Sequence, residues 1–365
     1  MLRRLVIGLM DDAARVVLAV PLDTLEFNAA PLATTVGYED RGSRLARGAR
    51  TRRLIKKLGD LDPPLGSDDD LLDVVHAWGA GCWPLAAELA RATGAALALE
   101  LTGADLLRKL RAHERRFSPA GSDDEPLRAS WIAPNAALHR AAIEHEPNWP
   151  VALARWGVHP PDHPRRDRPE GAPASVSILS SGKDPGDLTP LLRGLADLAV
   201  DREDLLVFLD AAAVEHHHAV WKTADSLGML DKLSVVADLE TRRELFMQSD
   251  VLVYPEARGE PRSIILDAMA AGVVVVARAD PYLEVTAVPD IAVLVTDNEP
   301  EQWSAALGDV LDHPSRFRAI SAAARDRIAA DRPVHKHVEA LLAAYAHLTD
   351  PTPLEFPGPT AERSG

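Results

Sequence analysis

The sequence predicts an α/β protein made of two successive units. Short apolar runs alternate with helical patterns along the chain, which is typical of sheets covered by helices. The chain has 365 residues, which is too long for a domain with a single hydrophobic core. Two domains of roughly 150–200 residues are therefore expected. Residues 159–173 are rich in Pro and charge and predict a linker. We therefore expect domains at 1–158 and 174–349, and a disordered Pro-rich tail at 350–365.

The elements of the first unit follow from short apolar runs and from helical spacing of apolar residues. The predicted strands are 4–8, 16–20, 73–77, 95–101, 129–132 and 151–154. The predicted helices are 44–58, 84–93, 105–115 and 135–144.

The second unit repeats the alternation after the linker. Its predicted strands are 175–179, 205–209, 233–236, 251–254 and 273–276. Its predicted helices are 188–198, 215–227, 241–248, 300–311, 314–330 and 334–348, with a further helix between the strands that end at 254 and begin at 273. Strands that alternate with helices in this way indicate a parallel sheet.

Composition excludes several functional classes. A net charge of −15 argues against general binding to nucleic acid or to an anionic membrane, so no nucleic-acid partner is expected. The single cysteine, Cys82, cannot form an internal disulfide, which fits a reducing compartment. The apolar amino terminus resembles a signal peptide, but Asp11 and Asp12 interrupt it. No apolar window approaches the ~18 residues of a membrane span, and we expect a cytoplasmic protein.

One segment reverses the acidic character of the chain. The run 41–57 contains no acid and eight cations, which are Arg41, Arg44, Arg47, Arg50, Arg52, Arg53, Lys56 and Lys57. Such a run is typical of a solvated helix that covers a sheet. It also fits weak peripheral contact with anionic lipid, or an acidic acceptor.

Three consecutive histidines, His216 to His218, are the first place to look for a metal site. Consecutive helical residues point about 100° apart, so the three rings cannot converge on one ion. The sequence also lacks a phosphate-binding P-loop and the Gly-x-Ser-x-Gly motif of serine hydrolases. We expect no metal ligands.

Residues 249–276 form the most informative segment. An apolar strand stops at Pro255, a polar loop with Glu260 and Arg262 follows, and a helix carrying Asp267 leads to a second buried strand. Strands of a parallel sheet present ligand-binding groups at their carboxyl ends. The segment therefore predicts a binding site at that edge.

This segment resembles the donor-binding signature of glycosyltransferase family 4, a family of nucleotide-sugar enzymes. The resemblance implies the GT-B fold, in which two Rossmann-like domains face each other across a cleft. It implies that the donor binds mainly to the second domain and the acceptor to the first. It also implies transfer with retention of configuration, without a metal and without a cofactor beyond the nucleotide-sugar substrate.

The resemblance assigns roles within the signature. The family carries two glutamates separated by seven residues, and here Asp267 stands at the second position, where the carboxylate takes the ribose hydroxyls. Gly259 stands at the first position, and the adjacent Glu260 is expected to contact the sugar. Arg262 and Ser263 lie at the expected start of the helix, where free backbone N–H groups favour phosphate.

Two other segments of the second unit resemble the family's donor site. The family's Arg and Lys, which neutralise the diphosphate, align with Ser181 and Gly186, and Lys183 is the only cation nearby. Gly182 allows close approach there. The family's turn over the nucleotide base aligns with residues 237–239, that is Ala237, Asp238 and Leu239; Asp238 is equally explained as a helix N-cap.

The first unit matches the family more loosely. Trp78 and Gly79 lie in a loop that is expected at the cleft. Thr102 replaces the family's His beside the donor sugar, and Asp105 follows in the same turn. We expect these four residues on the acceptor side, and His76 as a partly buried structural residue.

The predicted function is a retaining glycosyltransferase that acts on a sugar, lipid or small-molecule acceptor. Glu260, Lys183 and Arg262 are the predicted catalytic residues. The alternative is a catalytically inactive GT-B relative that serves as a binding or scaffold protein, because several motif residues are replaced. A third possibility is a sugar-nucleotide epimerase or a phosphorylase on the same fold.

Overall fold

A computed structural model describes residues 1–12, 14–24, 33–39, 47–61, 71–110, 127–147, 149–165, 168–169, 171–215, 218–237, 243–288 and 290–350. The strands are β1 (Val17–Pro21), β2 (Thr34–Tyr38), β3 (Val74–Trp78), β4 (Ala96–Glu100), β5 (Ala129–Ala133), β6 (Val151–Leu153), β7 (Ser175–Ile178), β8 (Leu206–Asp210), β9 (Leu233–Val236), β10 (Val251–Tyr254), β11 (Val274–Arg278) and β12 (Val293–Val295).

The helices lie between these strands and after the last of them. They are α1 (Leu2–Asp11), α2 (Arg47–Gly59), α3 (Trp83–Thr93), α4 (Ala136–His145), α5 (Pro185–Val200), α6 (Ala212–Glu215), α7 (His218–Ser226), α8 (Arg243–Gln248), α9 (Ser263–Ala271), α10 (Pro300–Asp312), α11 (Pro314–Asp331) and α12 (Val334–Thr349). Two short 3₁₀ helices, Leu22–Thr24 and Ala104–Lys109, complete the described elements.

The strands form parallel sheets. The first half contains the pair β1-β2 and a four-stranded sheet in the order β3-β4-β5-β6. The second half contains a six-stranded sheet in the order β12-β11-β10-β7-β8-β9. In this sheet the order reverses between β7 and β10, which is the switch point of a doubly wound Rossmann-type sheet. The crevice outside the carboxyl ends of these two strands is the place where such sheets bind ligands.

Both larger sheets are covered by helices on both faces. In the second half, one face packs against α5 and α10, and the other against α9 and α11. In the first half, one face packs against α3 and α4, and the other against α1 and α12. This burial on two sides explains why strands such as β10 and β11 are continuous apolar runs.

Local sequence sets the ends of the helices near the switch point. The Asp184 side chain caps α5 by accepting a hydrogen bond from the Gly186 N–H at 2.8 Å. Helix α9 ends at Gly272, whose φ of 80° is the left-handed conformation that glycine adopts without strain. The chain then enters β11 directly, so α9 lies between the two strands of the signature.

The final helix α12 returns to the first sheet. The apolar side chains Leu341 and Leu348 of α12 lie with Leu5 and Leu9 of α1 in one buried cluster on that sheet. The chain passes between the two halves after Val158 and again near Arg332, and these two crossing segments lie side by side. The Val158 N–H donates to the Arg332 carbonyl at 2.8 Å, and the Val334 N–H donates to the Val158 carbonyl at 3.0 Å. The expected domain bounds, 1–158 and 174–349, stay a prediction, and α12 lies within the second range while packing on the first sheet.

Most predicted elements are present, but of the predicted helix 105–115 the described part is the 3₁₀ helix Ala104–Lys109, and residues 111–115 lie outside the described part. Residues 4–8, predicted as a strand, belong to helix α1 because Leu5, Val6 and Leu9 fall on one helical face, where they are buried. The sequence analysis also missed β2 and β12. Of the predicted tail 350–365, residues 351–365 lie outside the described residues.

Helix α2 contains the described part of the basic run. Leu54 and Leu58 are buried against β2 and α3, and Arg52 and Lys56 are exposed. This arrangement suits a solvated helix over a sheet, and contact with lipid or an acidic acceptor stays a prediction. Residues 41–46 lie outside the described part. Within the described residues, no helix combines the length and apolar character needed to cross a membrane.

Candidate functional site

The loops after β7 and β10 meet at the switch point of the six-stranded sheet. They contain residues 179–184 and 255–262, and helix α9 begins at the end of the second loop. Most of the residues that the sequence predicted for catalysis and donor binding lie here. The site is therefore placed by the strand order of the sheet as well as by the signature.

Glu256 holds the two loops together. Its carboxylate accepts hydrogen bonds from the Ser180 hydroxyl at 2.7 Å, the Ser181 N–H at 2.6 Å and the Ser181 hydroxyl at 2.8 Å. The residue is only 1% exposed. A buried carboxylate with several donors is well satisfied, so Glu256 fixes the geometry of the loop that contains Ser181 and Gly182. Sequence analysis missed this residue, although its place directly after Pro255 was a signal.

Lys183 and Glu260, predicted from separate segments, form an ion pair across the two loops. The Lys183 side chain is 55% exposed and that of Glu260 is 13% exposed, so the pair lies at the mouth of the crevice. The Tyr254 hydroxyl donates to the Glu260 carbonyl at 3.3 Å. Burial raises the pKa of Tyr254, which keeps this donor neutral. The structure thus brings two of the three predicted catalytic residues together.

Gly259 stands where the resembling family carries its first acidic residue, and the structure explains why a side chain is missing. Its N–H donates to the Asp280 carboxylate at 2.5 Å, and its carbonyl accepts from the Ala104 N–H at 3.1 Å. A Cβ added at Gly259 would lie 2.5 Å from the Ala104 Cβ and 2.9 Å from the Tyr282 Cβ. The absence of a side chain therefore allows the signature loop to contact the first half directly.

The predicted acceptor-side loop lies against the signature loop. A Cβ on Gly103, between Thr102 and Ala104, would come within 3.2 Å of the Glu260 Cγ. Asp105 is half exposed and pairs with Lys109 at 3.2 Å on its own 3₁₀ helix. The structure therefore places Gly103, which lies between Thr102 and Asp105 in the chain, next to Glu260.

Trp78 lies at the carboxyl end of β3 and belongs to a buried aromatic and polar network. Its ring stacks on Trp156, with centroids 5.5 Å apart and planes 21° apart. The Trp156 Nε1–H donates to Glu100 at 2.6 Å, and the other Glu100 oxygen lies 3.1 Å from the His76 Nε2. His76 is part of this network, as predicted for a structural residue. The neighbouring Gly79 has a φ of 86° and open space around it.

Asp267 lies one turn after the start of helix α9, and its carboxylate is covered. Asp267 is 1% exposed and forms an ion pair with Arg4 of α1. Ser263, at the start of α9, is buried, and Arg262 in the N-cap position makes no side-chain capping bond. A ligand of the Asp267 carboxylate therefore has to displace Arg4.

Of the three remaining predicted donor residues, only Ala237, directly after β9, belongs to the described part of the chain. Ala237 is exposed there, and Asp238 and Leu239 lie outside the described residues. Arg258, which the sequence analysis did not select, is held by Asp187 at 2.6 Å and by Asp184 at 3.2 Å. The Arg258 guanidinium is therefore paired with carboxylates at the amino end of α5. No group of three or more His, Cys, Asp or Glu residues suited to a metal ion occurs in the described part of the chain.

Comparison with solved structures identifies the fold in which this site lies. No family model matches the sequence, and no curated protein matches it significantly. Sucrose-phosphate synthase from Thermosynechococcus elongatus superposes with a TM-score of 0.73 at 13% identity, over 95% of this chain and 92% of that chain. HepE from Anabaena, in complex with UDP-glucose, superposes with a TM-score of 0.70 at 13% identity, over 94% and 95%. The chain has the GT-B fold.

A further similar structure supports this assignment. A glycosyltransferase from Rickettsia africae has a TM-score of 0.67 at 12% identity, over 96% of this chain and 94% of that chain. All three similarities extend over nearly the whole length of both chains. The GT-B arrangement therefore includes both larger sheets and the 102–105 and 255–262 loops that contact each other between them.

Restoring the family's acidic residue by Gly259→Glu is expected to lower the free energy of unfolding by about 3 kcal/mol. The backbone there has a φ of 66°, and the new Cβ would press on Ala104 and Tyr282. Chemical denaturation measures the change. Gly94→Glu is the matched control, because Gly94 has a φ of 70° with nothing within 4 Å. We expect it to cost about 1 kcal/mol, and equal losses in the two variants would contradict the close-contact explanation.

Proposed function

We propose that this GT-B protein is a relative of glycosyltransferase family 4 that transfers a sugar from a nucleotide-sugar to an acceptor, with retention of configuration. The observation that carries the proposal is the meeting of the 179–184 and 255–262 loops and the start of α9 at the switch point of the six-stranded sheet. A similar structure, HepE, is a complex with UDP-glucose, which supports a nucleotide-sugar as the donor.

In the proposed mechanism the donor's diphosphate lies over the amino end of α9. Backbone N–H groups at Ser263 and in the Ser181–Gly182 loop bind its oxygens, and the helix dipole favours the negative charge. Lys183 and Arg262 balance the charge that develops on the leaving diphosphate. Lys183 is already placed at the mouth of the crevice by its ion pair with Glu260.

The other groups hold the two ends of the donor and the acceptor. Asp267 takes the ribose hydroxyls, Glu260 hydrogen-bonds the sugar, and the base lies over the turn that starts at Ala237. The acceptor, a sugar, a lipid or a small molecule, enters beside the 102–105 loop and residues 78–79. The bond from the anomeric carbon to phosphate breaks as the bond to the acceptor oxygen forms on the same face, and the leaving phosphate takes the acceptor's proton.

A specific observation also favours the second candidate, an inactive GT-B protein that binds a partner or a glycan. The loop where the resembling family carries its first phosphate-binding cation is held by the Glu256 carboxylate, and Asp267 is paired with Arg4. The Glu256 carboxylate reduces the positive charge offered to a diphosphate, and the Arg4–Asp267 pair covers the carboxylate that would take the ribose hydroxyls. The two candidates differ in whether a bound nucleotide-sugar is turned over.

Binding of nucleoside diphosphates tests the donor site. We expect at least one of UDP, GDP, ADP, CDP and TDP to bind in calorimetry, and Asp267→Asn to weaken it by about tenfold or more, because the amide replaces a charged acceptor of two hydroxyls. Asp250→Asn is the matched control. Asp250 also pairs with two arginines, Arg165 and Arg168, but it lies at the amino end of β10, away from the carboxyl ends where the donor is proposed to bind.

The outcomes separate the candidates. If none of the five nucleotides binds at millimolar concentration, the transferase proposal is wrong. If one binds, and its nucleotide-sugar releases the nucleoside diphosphate in the presence of sugar or lipid acceptors, the transferase is supported. Binding without any release favours the inactive candidate.

A further inference from the structure

We propose that helix α1 is an autoinhibitory element of the donor site: Arg4 occupies the Asp267 carboxylate, and α1 must withdraw it before a nucleotide binds. The inference rests on the proposed function, because it assumes that Asp267 is the ribose ligand. It concerns the control of that site, which the proposed function leaves open.

The contact joins two parts of the molecule that are far apart in the chain. Leu5 and Leu9 anchor α1 in the buried cluster of the first sheet, next to α12. Asp267 belongs to α9, which covers the six-stranded sheet. Met1, at the start of α1, also packs against the cluster that contains α9. The amino end of α1 therefore extends from the first sheet onto the donor-side helix.

The Arg4–Asp267 pair and a bound ribose exclude each other. Asp267 is 1% exposed and the Arg4 side chain 14% exposed, so the carboxylate is closed to any ligand while Arg4 stays in place. Two ribose hydroxyls need both carboxylate oxygens, and the guanidinium of Arg4 already binds Oδ2. Withdrawal of Arg4 breaks a buried ion pair, which is unfavourable, and ribose hydroxyls that bind the carboxylate offset part of this cost, so withdrawal and ribose binding are coupled.

The position of α1 depends on a second contact that does not involve Asp267. Gly8 packs directly against α12, and a Cβ added there would lie 2.5 Å from the Val338 Cγ2 and 3.7 Å from its Cβ. Gly8→Ala therefore pushes α1 away from α12. Val338→Ala removes the Cγ2 atom and leaves only the longer contact, so the double variant Gly8→Ala/Val338→Ala lets α1 dock again.

The expected change in nucleotide affinity depends on the fraction of molecules in which Arg4 covers Asp267. If the binding-competent state is only a fraction of the molecules, the apparent affinity is lowered by that fraction. Arg4→Gln removes the ion pair while keeping a long polar side chain, and it is expected to tighten nucleotide binding by about tenfold or more. Gly8→Ala is expected to act in the same direction, and the double variant to return towards the wild-type affinity.

The experiment is calorimetric titration of the five nucleoside diphosphates into the wild-type chain, Arg4→Gln, Gly8→Ala and the double variant. Arg140→Gln is the matched control, since Arg140 is exposed on α4 and the charge change is the same. Hydrogen exchange of the α1 amides, with and without the nucleotide, gives a second readout. We expect exchange to become faster when the nucleotide binds.

Tighter binding in Arg4→Gln and Gly8→Ala, with the control unchanged, supports the inference. Equal affinity in wild type and Arg4→Gln overturns it while the proposed function stands. Weaker binding in Arg4→Gln also overturns it, because Arg4 is then a ligand of the donor. If no protein of the series binds any nucleotide, the proposed function is wrong and the inference falls with it.

Discussion

Gly182→Ala is expected to lower the free energy of unfolding by about 4 kcal/mol, the sum of a left-handed backbone that Ala tolerates poorly and an overlap with fixed backbone. Gly182 has a φ of 66°, and a Cβ there would overlap the Ala212 carbonyl oxygen and lie 2.8 Å from its carbonyl carbon. Backbone atoms at the start of α6 cannot rotate away as a side chain would. Urea unfolding of the two proteins measures the loss.

The same substitution is expected to weaken nucleotide binding. The Gly182 N–H donates to the Ser180 hydroxyl at 3.1 Å, and that hydroxyl donates to Glu256 at 2.7 Å. Displacement of Gly182 therefore displaces the loop that is proposed to bind the diphosphate. Gly228→Ala is the matched control, with a φ of 65° and nothing within 4 Å of the added Cβ. We expect it to cost about 1 kcal/mol, and a loss as large as that of Gly182→Ala would refute the overlap argument.

Stability is expected to fall as the pH drops from about 6.5 to about 3, because His337 is neutral in the folded protein. Burial lowers the pKa of His337 from 6.5 to about 3, with smaller contributions from His76, the amino terminus and Arg332. The residue is 1% exposed, and neither ring nitrogen has a hydrogen-bond partner. Between the two pKa values the unfolded chain binds a proton that the folded chain does not, so acid favours unfolding.

The expected decrease in the free energy of unfolding between pH 6.5 and pH 3 is large. Each unit of difference in pKa is worth about 1.4 kcal/mol, so the full window amounts to about 5 kcal/mol, all of it present above pH 6.5. His337→Leu is expected to flatten the pH dependence of the free energy of unfolding by this amount in denaturant titrations at several pH values. His335→Leu, on the exposed side of the same helix, is the control. An unchanged slope in His337→Leu would show that His337 is not the group responsible.

Local sequence was sufficient for most of the fold because each element depends on its own pattern. Strand β10 of the six-stranded sheet, for example, is an apolar run because it is buried on both faces. The GT-B expectation, which came from resemblance, agrees with the structure. Helix α1 was misassigned because a short apolar run fits a buried strand and a buried helix equally well. Its partner α12 is more than 300 residues away, and only packing against it distinguishes the two.

Within the site, sequence and tertiary structure determined different things. The spacing of Pro255, Glu260 and Asp267 along one loop and helix specified which groups lie at the carboxyl edge of the sheet, since those positions depend on neighbours in the chain. Only the folded chain showed that Glu256 binds the β7 loop, that Gly259 contacts Ala104, and that Arg4 covers Asp267. Those contacts join residues that are distant in sequence, and their energies depend on burial and on opposite charge, which no local pattern records.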